Sequence, residues 1–429
     1  MIIDNIHQLQ SLKERTVFLY PISRDSRLHN HNNLIIGFVI IDTSTKEVFT
    51  ISNGHPDGIF NTSNLDFLDS CIVYGYNIEL LKYCGYNIDK YINVKLQYYL
   101  QTNKGYDLEC SPLEQQYSRQ YQSCYKINEL IPLYKHEESA YQIFADCWIR
   151  DKQEGLTFYQ EKIFNVFHNI EKQGIKINES LFEERFGQSF SRNKDHCHTQ
   201  YNYYTTTGRP SNRFGGINFA ALNKEDITRE CFISEFGTLL EIDFNSYHPR
   251  LIASLIGYDF GSDNVYEHLA KHYHNTTTPT PQQILDAKEG TFKQLYGGIQ
   301  KQYIHIPFFA MTDMLAQMFW KEANECGYIT SPLSGRKLVL SNYQDVNCYT
   351  LFNYFIQMYE TEMNVLMLND LFDKLDSDIV PILYTYDSIL FDLPIHKIDS
   401  LKSSLQQAIP KEFPYKLKTG ANYKILSDV

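Results

Sequence analysis

Along the chain, apolar residues first crowd into short runs and then recur every three or four positions. The runs come early: RTVFLYPIS, NLIIGFVIIDT and EVFTISNG, between residues 15 and 55, are separated by polar residues. Runs of this length, rich in β-branched and aromatic residues and bounded by Asn, Asp, Ser and Gly, predict strands. CIVYGYN predicts another strand and IELLKYCGYNI a helix. Strands mixed with helices predict an α/β or α+β module over 1–150. The period then changes. In FYQEKIFNVFHNIEKQGIKINESL, Ile163, Val166, Phe167 and Ile170 fall at helical spacing and Gly174 closes the pattern. A second module, 151–429, begins there.

Within the second module, two apolar strands carry a carboxylate for which a core strand has no use. LLEIDF (239–244) contains Asp243 and precedes a helix, PRLIASLI, with Pro249 in its first turn, where proline is tolerated. Asn245 and Ser246 are better placed than Asp243 to cap that helix. PILYTYDSILFDLP (381–394) reads as a hairpin with Asp387-Ser388 at its turn. A turn role alone would account for Asp387. If the strands are antiparallel neighbours, the two aspartates meet. Carboxylates forced together repel, and one stays protonated unless a cation lies between them. Hard oxygen ligands suit Mg²⁺. Two such ions about 4 Å apart clamp the attacking and leaving oxygens of an in-line phosphoryl transfer.

Other segments could position a nucleotide and a nucleic acid. TPQQILDAKEGTFKQLYGG (280–298) predicts a helix in which Lys288, Phe292 and Tyr296 share nearly one face. A lysine for triphosphate and rings for sugar and base would meet an incoming nucleotide there; an ordinary amphipathic helix is the alternative. TTTGRPSNRFGGINFAALNK (205–224) is a glycine- and arginine-bearing loop. LFNYFIQMYE (351–360) sets Asn353 and Gln357 one turn apart, which a solvated helix face would also explain. Minor-groove acceptors of the base pairs are nearly alike in position, so donors such as Arg209 and Gln357 could test pair geometry without reading sequence. ITSPLSGRKLVLSN (329–342) predicts a hairpin with a basic tip at Arg336 and Lys337.

Composition changes this picture little. Hydrophobic content of 43% and charged content of 21% are those of a soluble globular protein. No run reaches the roughly 18 apolar residues of a membrane span, and MIIDNIHQLQSLKER lacks the basic-then-apolar order of a signal peptide. A cytoplasmic location and no membrane partner are expected. Nine cysteines without a CxxC pair are expected to stay reduced, and His196-Cys197-His198 is too local to make a good zinc site. A net charge of −12 does not exclude nucleic acid, because a binding groove needs only local positive charge. The 33 tyrosines and 27 phenylalanines serve equally as core or as stacking platforms.

In their order, these segments resemble the motifs of the family A (Pol I-like) DNA polymerases. TGRPSNRFGGINFAAL is similar to the family's TGR segment with its downstream asparagine, here Asn218. LLEIDFNSYHPRLIASL is similar to motif A, DAKEGTFKQLYGG to motif B and TYDSILFDLP to motif C. SGRKL, the Asn353–Gln357 spacing and NIEKQGIKIN also match. The resemblance implies a right-hand α+β fold preceded by an RNase H-like exonuclease-type domain over 1–150. Its parts would be a shortened thumb (178–204), palm segments (205–258 and 329–429) and fingers (259–328). It implies two Mg²⁺ held by Asp243, Asp387 and the Phe244 carbonyl, with Lys288 on the phosphates, Phe292 on the sugar, and Tyr296 with Gly297 beside the template. Arg209, Asn218, Arg336, Asn353, Gln357 and Tyr386 would contact DNA. Primer-template DNA and dNTPs are the implied partners, with a processivity factor compensating for the short thumb. The reduced size points to a phage-encoded member.

The departures carry equal weight. Ile284 stands where the family usually has an arginine. His248 replaces the glutamate that gates against ribose, and Tyr386-Asp387-Ser388 replaces His-Asp-Glu. In the first module, Tyr20 and Ile22 occupy the Asp-x-Glu positions of the exonuclease, and Tyr141 is followed by Ala145 where the family has aspartate. Without a carboxylate cluster the module is expected not to proofread, unless Asp42 and Asp146 form a shifted site. The alternatives are a polymerase of relaxed sugar selectivity that makes or extends primers, and a non-catalytic DNA- or replisome-binding protein.

Overall fold

The computed structural model describes residues 2–25, 28–105, 127–187, 195–214, 216–222, 227–261 and 264–429. The chain forms two compact units, Met1–Leu156 and Thr157–Val429.

In the first unit, β1 (Thr16–Ser23), β2 (Ile35–Asp42), β3 (Val48–Ser52), β4 (Ile72–Gly75) and β5 (Tyr91–Asn93) form a sheet in the order β3-β2-β1-β4-β5. β1 runs antiparallel to β2 and parallel to β4. Both faces are covered, which is why the early runs are apolar almost throughout. Val17, Leu19, Phe38 and Ile40 pack with Leu80 and Leu81 on one side. Phe18, Ile22, Val39 and Ile41 pack with Ala140, Ile143 and Phe144 of helix α1 (Leu133–Cys147) on the other. Tyr20 pairs its ring with Tyr76 at 5.8 Å. Asp42 accepts the Ser44 and Thr45 N–H groups at 2.7 and 3.1 Å, the local hydrogen bonds of a turn. Asp146 accepts the Gln142 amide at 2.9 Å.

The second unit opens on a π-helical turn, Tyr159–Ile163, that runs into α2 (Phe164–Gln173). Ile163, Val166, Phe167 and Ile170 are its buried face. Gly174 ends it at φ +72°, where a Cβ would come within 2.9 Å of the His198 ring. Of the expected thumb segment, the helix Glu179–Phe186 is described, and residues 188–194 lie outside the described residues.

An antiparallel sheet organises this unit: β6 (Thr238–Phe244), β7 (Val380–Tyr384), β8 (Ser388–Leu393), β9 (Tyr415–Gly420) and β10 (Ser427–Asp428), in the order β7-β8-β6-β9-β10. Leu239, Ile382 and Leu390 bury one face against Ile175, Phe182 and Phe232. Helices α3 (Tyr247–Ile256), α4 (Pro281–Gly297), α5 (Pro307–Cys326) and α6 (Cys348–Phe372) belong to the same unit. α6 packs against α3, α4 and α5. The start of α4 is written in its sequence: Thr280 and Gln283 form a reciprocal capping box, with Pro281 in the first turn.

Three local expectations are corrected. The hairpin turn centres on Tyr386-Asp387, with the Thr385 N–H donating to the Ser388 carbonyl at 2.8 Å. Ser388 joins β8 because it pairs with Asp243 on β6. Ser246 precedes α3 at φ +51° without a side-chain cap, and the Asn245 N–H donates instead to the Pro414 carbonyl at 2.8 Å. The expected hairpin forms from Tyr328–Thr330 and Lys337–Val339, but Arg336 is fully buried instead of sitting at a basic tip. Its guanidinium donates to the Tyr159 hydroxyl at 3.0 Å, and that hydroxyl donates to the buried Glu362 carboxylate at 3.0 Å.

Candidate active site

The sheet register brings the two aspartates together. Asp243 pairs with Ser388 across β6 and β8, and the Phe244 N–H donates to the Asp387 carbonyl at 2.9 Å. The turn that carries Asp387 holds Tyr386 at φ +66°, a left-handed conformation that a bulky side chain rarely adopts. Such a residue costs about 1–3 kcal/mol and persists only where its surroundings enforce it. Here Asn364 of α6 donates to the Tyr386 carbonyl at 2.9 Å, and the Arg209 guanidinium lies 3.9 Å from the Tyr386 ring centre. Asn364 also accepts the Tyr247 hydroxyl at 2.6 Å and donates to the Tyr384 hydroxyl at 2.9 Å. One amide thus ties α3, β7 and the turn together.

The charges are arranged around Asp387. The residue reaches solvent, while protein crowds its carboxyl. Burial, then the nearby Asp243 and Glu360 carboxylates, push that carboxyl above its ordinary range, and Arg209 offsets part of the effect. Glu360 behaves oppositely. Burial alone would raise it, but His248 and Arg209 hold it below the usual carboxylate value. Arg209 Nε is 2.9 Å from Glu360 Oε2, and His248 Nε2 is 2.9 Å from Glu360 Oε1. Among the described residues, no three His, Cys, Asp or Glu side chains are arranged to hold a metal.

α4 turns its expected face toward this cluster. Phe292 and Tyr296 stack nearly parallel with ring centres 5.9 Å apart, and Lys288 Nζ lies 5.8 Å from the Tyr266 ring centre. The Tyr296 hydroxyl is hydrogen-bonded to His248 Nδ1. A continuous polar chain therefore runs from Tyr296 through His248 and Glu360 to Arg209. Asn353 donates to the Tyr296 carbonyl at 3.0 Å and so holds the end of α4. Gln357 accepts the Thr207 hydroxyl at 3.1 Å, beside the loop that bears Arg209. Gly297 and Asn218 are exposed, with Asn218 on a short strand opposite Arg213.

Glu360, Asn364, Tyr247 and Tyr266 were not singled out from the sequence. Glu360 had a legible signal: it follows Asn353 and Gln357 at i+7 and i+3 on one helix face. Gly298 is a further constraint, at φ +101° with a virtual Cβ 2.8 Å from the Tyr349 ring. That ring is pinned by its hydroxyl bond to Asp313 at 2.6 Å. Gly298→Ala is expected to destabilise the protein by about 2 kcal/mol, through backbone strain and ring displacement together. Denaturant midpoints at unchanged slope would measure it.

No protein-family model matches this chain, and no curated protein does either. Its fold is similar to that of a solved structure described as the POL domain of Pol1 from M. smegmatis in complex with DNA primer-template and dNTP. The TM-score is 0.68 at 12% identity, over 97% of this chain and 98% of that one. The described residues include no helix long and apolar enough to cross a membrane.

Proposed function

We propose that the protein is a template-directed DNA polymerase that extends a primer 3′ end with dNTPs. The observation that carries this reading is the juxtaposition of Asp243 and Asp387 facing α4, on a fold shared with a polymerase domain solved with primer-template and dNTP. In the reaction, the primer 3′ oxygen forms a bond to the α-phosphorus and loses its proton. The bond from that phosphorus to the bridging oxygen breaks, and pyrophosphate leaves.

The donor set fits a hard dication. Asp243, about a quarter exposed at its side chain, and Asp387 offer carboxylate oxygens whose mutual repulsion a cation would relieve. Asp243, Asp387 and the Phe244 carbonyl would hold two Mg²⁺. When bound, Mg²⁺ supplies charge neutralisation on the phosphates and acidifies the attacking hydroxyl. Lys288, exposed on α4, would receive the triphosphate, with Phe292 and Tyr296 beside sugar and base. Arg209, Gln357 and Asn353 would face primer and template, and Tyr386 holds Arg209 in place by stacking. Arg336 acts inside the protein, because its guanidinium is buried. His248 occupies the position from which sugar is discriminated and is fixed by bonds on both ring nitrogens. Replacement of the gating glutamate by His248 leaves the choice of sugar to be read from extension with dNTPs and rNTPs.

We read the first unit as a non-proofreading scaffold, supported by the apolar setting of Ile22, the ring pairing of Tyr20 and the turn role of Asp42. Primer extension with dNTPs and rNTPs in parallel lanes tests the proposal. Growth with dNTPs alone, and no shortening of the labelled primer when nucleotides are omitted, is expected. Binding of primed duplex without growth would favour the non-catalytic reading. Growth with both sugars would favour the primer-making one.

A further inference from the structure

β9 presents two lysines to the carboxylates of β6. Cross-strand pairing sets Lys418 opposite Glu241 and Lys416 opposite Asp243, and directly paired residues share a sheet face. Lys418 Nζ lies 3.4 Å from Asp243 Oδ2 and 3.8 Å from Glu241 Oε2. Glu241 is buried, and the Ser388 hydroxyl donates to its other oxygen at 3.1 Å. Lys416 is exposed. The ammonium of Lys418 therefore sits against one of the two carboxylates assigned to the metal, fixed from behind by a third.

We propose that Lys418 is a resident counter-cation that shares Asp243 with the divalent metal and so sets the metal concentration at which the site fills. The proposal rests on the two-carboxylate reading above. Without metal, Lys418 compensates Asp243 and the buried Glu241. When a dication arrives, its attraction to Asp243 is opposed by repulsion from an ammonium it has to share that carboxylate with. By linkage, whatever the ammonium contributes to the metal-free protein is subtracted from metal affinity. Lys418 is thus a positioning residue, acting through Asp243. Lys416, on the same face but exposed and without the 3.4 Å contact, supplies a control for bulk charge.

Titration of the full chain with Mn²⁺, following free Mn²⁺ by electron paramagnetic resonance without nucleotide or DNA, tests this. Lys418→Met and Lys418→Gln are each expected to bind Mn²⁺ roughly tenfold more tightly. Lys416→Met should stay within about twofold of the parent, as an exposed, screened charge does. The metal-free Lys418 variants should melt at lower temperature and recover on adding Mn²⁺. A merely structural role would weaken binding, so a gain is the discriminating sign. Unchanged or weaker binding in both variants, with the parent binding Mn²⁺ in an Asp243-dependent manner, would overturn the proposal alone. Absence of Asp243-dependent binding in the parent would overturn the metal reading and the proposal with it.

Discussion

Asp387→Asn is expected to lower primer extension by at least about 10³-fold while leaving the protein as stable as before, or slightly more so. The first half follows from charge. An amide cannot hold a dication as a carboxylate does, and loss of about 4 kcal/mol of transition-state stabilisation corresponds to that factor. The second half follows from the environment of the group. Burial and the Asp243 and Glu360 carboxylates raise the Asp387 carboxyl, so its ionised form works against the fold. A group raised in the folded state contributes stability that is present at low pH and lost as pH rises through the folded value. Asparagine escapes that loss. Any stabilisation by Asp387→Asn should therefore show at neutral pH and vanish as pH falls into the range where Asp387 protonates. Thermal unfolding with chelator across pH, alongside single-turnover extension, measures both halves. A variant that is inactive and unfolded would argue for a structural role instead.

Arg336→Met is expected to produce the largest loss of stability, about 3 kcal/mol. Its guanidinium is fully buried, reaches Tyr159 at 3.0 Å and extends to the Thr206 carbonyl at 3.5 Å. Glu362 beside it keeps hydroxyl donors from Ser331, Ser334 and Tyr159, but loses its compensating charge. Burial already pushes Glu362 up, against which Arg336 and these donors pull. Removing Arg336 raises the carboxyl further. The sign is again that of a raised acid: the penalty is present where Glu362 is ionised in the folded parent and gone where it is protonated in both proteins. The gap in melting temperature between parent and variant should be widest at alkaline pH and narrow as pH falls into the range where Glu362 is protonated in the folded parent. A gap independent of pH would mean that the loss is one of packing alone. Because Thr206 lies in the loop that bears Arg209, extension should also weaken before the protein unfolds.

Much of this organisation was legible in the sequence because it rests on local chemistry. The capping box at Thr280, the apolar face of α2 and the largely apolar β1 and β2 each declare themselves within a few residues. So does the Lys288–Phe292–Tyr296 face, since four-residue spacing fixes which side chains align. What was not legible depends on long-range register. The turn centre moved to Tyr386-Asp387 because Ser388 pairs with Asp243. Arg336 looked like a hairpin tip until Glu362 and Tyr159, from distant segments, enclosed it. Lys418 carried no signal at all, because only the pairing of β9 with β6 places it beside Asp243. His248 was recognised as a departure, but its bonds to Tyr296 and Glu360 belong to three separate helices.

The most direct test of template-directed synthesis is incorporation of single dNTPs opposite each of the four template bases, on otherwise identical primed duplexes. Preferential addition of the complementary nucleotide in all four cases, abolished by Asp387→Asn, is the expected result. Addition that ignores the template base, or none by protein that binds the duplex, would show that Asp243 and Asp387 serve something other than templated synthesis.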